Sequence, residues 1–133
     1  MSAVFQSREN ANNAAEKLKV YAQPQRLMIL SRLLGGECTV SEIDAATGIG
    51  QPALSQQLAG LRRAELVQSR RSAKQVYYRL ANDGVSVCVR SIEATFGTGR
   101  DVAAAVSAVV AEKPKRRQKE LGSAGAAAIA KII

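Results

Sequence analysis

Apolar positions along this chain recur at two spacings, the three-to-four-residue step of helices and, in one short stretch, the alternation of a strand. The clearest helical stripe is Leu54, Leu58 and Leu61, which share one face and mark that face for the core. Upstream of it, Thr39 and Glu42 stand in the spacing that lets a hydroxyl and a carboxylate cap a helix start reciprocally, so a short helix is predicted from about Val40. Gly48 ends that helix, because glycine enters the left-handed conformation cheaply, and Ile49 supplies an apolar plug for the corner. Gly50-Gln51-Pro52 opens the leucine-bearing helix, with proline tolerated in a first turn where its missing N–H has no helical partner. Thr39 to Ala64 therefore reads as helix, tight turn, helix.

The rest of the pattern surrounds this unit. Asn10 to Tyr21 predicts a first helix with a narrow face of Ala11, Ala14, Ala15 and Leu18. Such a face needs a partner element, since isolated helices of this length are marginal in water. From Pro24 to Leu34 the chain is apolar nearly all round, which predicts the central core helix, closed by Gly35-Gly36. After the paired helices, Leu66–Arg71 and Gln75–Leu80 predict a hairpin, with Val76, Tyr78 and Leu80 inward and Gln75, Tyr77 and Arg79 outward. Asp83 to Phe96 predicts a last helix on the stripe Val85, Val89, Ile92 and Phe96. Residues 1–97 are thus expected to form one domain. Residues 98–133 are expected to be an extension, helix-permissive over Asp101 to Glu112 and then a basic, low-complexity tail.

Polar chemistry sharpens the picture at the leucine helix. Opposite its stripe stand Gln51, Ser55, Gln56 and Gln57, then Arg62 and Arg63: amides, a hydroxyl and guanidinium groups with almost no acid among them. Glutamine pairs bidentately with the edge of adenine, and arginine with guanine or a phosphate, whereas a merely solvated face usually mixes Glu with Lys. The hairpin repeats the bias with Arg70, Arg71, Lys74 and Arg79 and no acid between them. An edge strand kept soluble by its charges is the plainer reading of that ribbon; phosphate contact is the sharper one.

Charge and composition then set bounds. The 133 residues amount to one domain's worth of chain, and the formal net charge of +8 favours a polyanionic partner without separating DNA from RNA or an anionic membrane. No apolar run approaches the roughly 20 residues of a membrane span, and MSAVFQSREN lacks the basic start and apolar middle of a signal peptide, so a cytoplasmic protein is expected. Two cysteines, Cys38 and Cys88, are too few for a disulfide framework. Cys88 lies beside the last helix's stripe and is expected as a small buried hydrophobe. Cys38 falls in the loop before a helix start, a setting that favours a thiolate, which leaves both as possible redox residues. With no histidine, no paired carboxylates in a pocket-like setting and no phosphate-cradling glycine loop, an enzyme is disfavoured, and neither a metal nor a cofactor is expected.

Two helices joined by a tight turn and followed by a basic hairpin make a winged helix, a mainly α fold with a small β-hairpin. Here Pro24 to Phe96 resembles the bacterial ArsR/SmtB repressors, on the residues Gln-Pro-Gln-Arg-Leu-Met-Ile-Leu from Gln23, the run GIGQPALSQQL from Gly48, and Tyr77-Tyr78-Arg79-Leu80. The run is most similar to the subgroup that holds the biofilm and sulfide-responsive repressors and the rhizobial nodulation repressor. The resemblance implies a homodimeric repressor of double-stranded DNA at a palindromic promoter site, with the second motif helix in the major groove and the wing on flanking backbone. It puts Gln51, Pro52, Ser55 and Gln56 at bases, and Ser41, Gln57, Arg62, Arg70, Arg71 and Lys74 at phosphates.

The dimer is expected to form through the first and last helices, with Leu18, Val85, Val89, Ile92 and Phe96 at the seam. Metal-sensing members place cysteines where this chain has Thr39 and Ser41, and the sulfide-responsive dithiol falls at Ser31 and Gly97. Regulation independent of metals and of that dithiol is therefore expected, with the small-molecule effector unknown. A non-specific nucleoid or RNA-binding architectural protein is the alternative.

Overall fold

The computed structural model describes residues 3–97 together with 106, 107, 109 and 110. The chain falls into two compact units, Met1–Val85 and Ser86–Ile133. Most of the extension and all of the basic run from Lys113 lie outside the described residues, so the expectations for them stay as they were.

In the first unit a 3-10 turn, Val4–Gln6, leads into α1, Arg8–Tyr21. This helix starts two residues earlier than its apolar pattern suggests, because the Ser7 hydroxyl accepts a hydrogen bond from the Asn10 amide and caps it. The elements that follow are α2 (Pro24–Leu33), β1 (Cys38–Thr39), α3 (Val40–Thr47), α4 (Ala53–Arg63), β2 (Val67–Ser72) and β3 (Gln75–Leu80). α5 is Asp83–Phe96, with the bounds its stripe predicts, and beyond it Val106, Ser107, Val109 and Val110 are helical.

α2 is the central helix of the unit, touching α1, α3, α4 and β3. Its burial is one-sided, however, where the sequence reads as apolar all round. Ile29, Leu30 and Leu33 are enclosed, while Met28 remains 44% exposed. Ile43 from α3, the three leucines of α4 and Val67 complete the core around it. At about 25 cal/mol per Å² of apolar surface, each such buried aliphatic side chain stabilises the unit by roughly 1.5–3 kcal/mol.

The sheet has three strands, in the order β1-β3-β2, all antiparallel. The two-residue β1 carries no periodicity to detect, and it corrects the placement of Cys38. That residue lies in a strand opposite Tyr78, with Thr39 opposite Tyr77, and not in a loop. The hairpin turns on Ala73-Lys74, with Ala73 at φ 55, and Ser72 pairs with Gln75 across it.

Candidate nucleic-acid interface

The surface in question is assembled by the α3–turn–α4 unit and the hairpin. Thr39 caps α3 by accepting from the Glu42 amide (3.2 Å), while the Glu42 carboxylate accepts from the Thr39 amide (2.9 Å), the reciprocal arrangement its spacing predicts. Those hydrogen bonds, the backbone one first, hold the Glu42 carboxyl below the usual carboxylate value. Gly48 adopts the left-handed conformation at φ 68.

The corner is held by a residue the pattern did not single out. The Asp44 carboxylate accepts from the Gly50 amide at 2.8 Å, and its backbone carbonyl accepts from the Gly48 amide at 2.7 Å. One side chain thus fixes the exit of α3 to the entry of α4. The spacing Asp-x5-Gly was the available signal. Pro52 stands at the N-cap of α4, one residue outside the helix and not in its first turn. Capping falls instead to Gln51, whose Oε1 accepts from both the Ser55 amide (3.1 Å) and the Ser55 hydroxyl (2.7 Å).

α4 divides into the two faces its sequence predicts. Leu54, Leu58 and Leu61 are at most 1% exposed, and Ser55, Gln56, Arg62 and Arg63 are exposed. Gln51 and Pro52 are exposed just before the helix, and Ser41 on the first turn of α3. The Gln56 side chain makes no hydrogen bond among the described residues, and its carboxamide is exposed.

Two residues assigned to phosphate contact are engaged by other side chains of the same chain, Gln57 half-buried and Arg70 exposed. The Gln57 Oε1 accepts from Arg26 Nε (2.8 Å) and its Nε2 donates to Gln25 Oε1 (3.3 Å), which ties α4 to α2. Arg26 also reaches the Val20 carbonyl, at 3.4 Å, and lies 2.9 Å from where a Cβ on Gly60 would stand. Arg70 donates to both carboxylate oxygens of Glu37, at 2.8 and 2.6 Å, and lies 4.6 Å from the centroid of the Tyr77 ring. That cover explains why Tyr77, expected to face outward, is half-buried. The Arg70 guanidinium holds the Glu37 carboxyl below its ordinary range, and the same hydrogen bond raises Arg70. Arg79 donates to Gln68 at 2.6 Å. Arg71 and Lys74 are exposed, with no hydrogen bond or ion pair among the described residues.

The expected seam residues differ among themselves. Leu18 (58%) and Phe96 (77%) are exposed, Ile92 is half-buried, and Val85 (5%) and Val89 (1%) are already covered within a single chain. Phe5, 87% exposed on the N-terminal 3-10 turn, is a large apolar side chain that the sequence pattern passed over. Cys38 is 1% exposed with its Sγ 3.5 Å from the Gly36 carbonyl oxygen, and burial pushes its thiol up, opposite to the direction expected at a helix start. Cys88 is a half-buried free thiol.

Comparison with known proteins places this arrangement. Residues 23–69 match the family model described as bacterial regulatory protein, arsR family. The biofilm growth-associated repressor of Xylella fastidiosa (strain Temecula1 / ATCC 700964) is 41% identical over 90 residues, covering 68% of this chain and 79% of that one. A crystal structure of the transcriptional repressor BigR, also from Xylella fastidiosa, superposes with a TM-score of 0.65 at 38% identity, over 71% of this chain and 97% of the other. The transcriptional activator HlyU of Vibrio cholerae is 40% identical over 81 residues, 61% of this chain and 75% of that one. A homodimeric winged helix-turn-helix DNA-binding domain from Mycobacterium bovis, solved by NMR, superposes with a TM-score of 0.59 at 29% identity, over 71% and 86% of the two chains.

Proposed function

The chain belongs to the arsR family of bacterial regulatory proteins, and from that premise we propose that it is a repressor that binds a palindromic promoter site in double-stranded DNA as a homodimer. The observation that carries the reading is the outer face of α4. It is exposed, free of acid, and held on a turn that the Asp44 hydrogen bonds fasten and that two glycines at positive φ permit. A helix so presented enters the major groove, where its N-terminal side chains meet base edges. Gln56 is the base reader, with an amide matched to adenine, and the Gln51–Ser55 pair and Pro52 line the same approach. Ser41, Arg62, Arg71 and Lys74 take the backbone phosphates.

Leu18 and Phe96 are each exposed apolar side chains that a second copy would cover, and Phe5 is a further one. Among the described residues no helix is long and apolar enough to cross a membrane. As a regulator of promoter DNA, the protein would work in the cytoplasm. Binding is independent of metal, so a chelator or added zinc leaves operator affinity unchanged.

A second reading concerns only the sign of regulation, since a relative of similar identity is named an activator. Selection of bound duplexes from a random library, followed by footprinting and transcription from a template carrying the selected site, tests the whole reading. A two-fold symmetric footprint over the promoter with reduced transcript supports repression, and increased transcript supports activation. A steep salt dependence with no preferred sequence would point to a non-specific architectural protein instead.

A further inference from the structure

We propose that Arg70 is a wing-positioning residue and not a phosphate contact, with Glu37 occupying the place a phosphate would take, so that the wing grips DNA through Arg71 and Lys74. The inference rests on the DNA-binding reading above and assigns different work to cations that the sequence presents as equivalent.

The geometry begins in the sheet. Tyr77 sits on the middle strand, with Arg70 directly opposite it on β2 and Thr39 directly opposite it on β1. Glu37 lies immediately before β1. The Arg70–Glu37 pair therefore arches over the Tyr77 ring from one edge of the sheet to the other, and closes on the segment whose Thr39 caps α3. The wing and the start of the helix-turn-helix unit are fastened at one point.

The chemistry of the pair excludes a second acceptor on the same edge. A guanidinium meets a carboxylate and a phosphate with the same fork of parallel donors. Glu37 accepts from Nε and from one terminal nitrogen, with each of its oxygens taking one donor. Stacking on Tyr77 takes one face of the guanidinium plane as well. A phosphate could take that fork only by displacing a carboxylate already in place and leaving it beside the DNA backbone. Arg71 and Lys74 have no such internal acceptor, and both stand at the exposed end of the hairpin.

The salt dependence of duplex binding separates the two roles, because its slope counts the phosphates neutralised, at about 0.9 per contact. The probe is a mixed-sequence B-form duplex followed by fluorescence anisotropy, with folding of each variant checked by thermal unfolding. Arg71→Gln and Lys74→Gln should each lower the slope by about 0.9. The charge-neutral double variant Glu37→Gln/Arg70→Gln should keep the wild-type slope while its affinity falls, since the wing is no longer fastened. The swap Glu37→Arg/Arg70→Glu should restore affinity, because the pair re-forms in reverse.

A slope in the neutral double variant that drops as it does for Arg71→Gln would overturn the proposal, as would a swap that binds more weakly than the neutral variant. Unchanged affinity in the neutral variant would remove the positioning role. Should a variant not fold, the Arg70 Nε–Hε resonance of the wild-type protein decides alone: it stays put on adding duplex if Glu37 keeps its hold, and moves if phosphate replaces it. Wild-type protein with no salt-dependent duplex binding at all would sink the DNA-binding reading and this proposal with it.

Discussion

Cys38 illustrates how one residue's chemistry turns on burial. Next to a helix start a thiol is normally acidified, but here strand pairing encloses it, and desolvation disfavours the thiolate. At neutral pH the folded protein should therefore react with iodoacetamide at Cys38 far more slowly than the unfolded chain; comparable rates would show the thiol open to solvent. Glu65 presents a different strain. It holds φ 62 at the end of α4, where its amide donates to the Arg62 carbonyl and the Leu66 amide to the Leu61 carbonyl, a helix ending that glycine fits best. Glu65→Gly should raise stability by about 0.5–1 kcal/mol in urea unfolding, and a loss would mean that the carboxylate makes a compensating contact. Glu37 and Glu42 both titrate below the ordinary carboxylate value of 4.5 in the folded state. Their contribution is present above that value and is lost as pH falls through the lower, folded values. Glu42→Gln should accordingly show a shallower decline of melting temperature below pH 4.5 than the wild type.

Among the elements, what was legible in the sequence is what is local. The capping box at Thr39, the left-handed Gly48, the leucine stripe of α4 and the span of α5 each announce themselves within a few residues, and each forms as its spacing implies. The features that escaped are contacts between distant segments. Arg26 and Gln57 are 31 positions apart, and Glu37 and Arg70 are 33 apart, so neither pair leaves a periodic trace. Gln57 and Arg70 were visible only as an amide and a cation, and phosphate seemed their natural partner until the fold brought Arg26 to the one and Glu37 to the other. β1 escaped for a simpler reason, since two residues cannot show an alternation. Thr39→Ala should cost about 0.5–2 kcal/mol by unmaking the cap, and Leu58→Ala about 2–5 kcal/mol by opening a cavity under α4. Reversed ranking in chemical denaturation would mean that α4 is held by something other than its leucine stripe.

On the scale of the whole molecule, the proposed dimer needs an apolar surface that a second copy can cover. Val89 is 1% exposed, so Val89→Asp buries a charge within one chain and should unfold the protein whether or not it dimerises. Leu18 and Phe96 are exposed and discriminate better. Leu18→Asp and Phe96→Asp should leave protomer stability within about 0.5 kcal/mol while shifting sedimentation from dimer to monomer. A dimer that persists in both would place the interface elsewhere.

The central claim is that α4 reads sequence, and Gln56 is where it can be tested most directly. The measurement is the affinity of wild type and Gln56→Ala for a selected duplex and for a mixed-sequence duplex, all at one salt concentration. Wild type should prefer the selected duplex by about a thousandfold or more, and Gln56→Ala should lose about 1–3 kcal/mol on that duplex alone, with preference relaxed at one base pair. Equal loss on both duplexes, or no preference in the wild type, would contradict it.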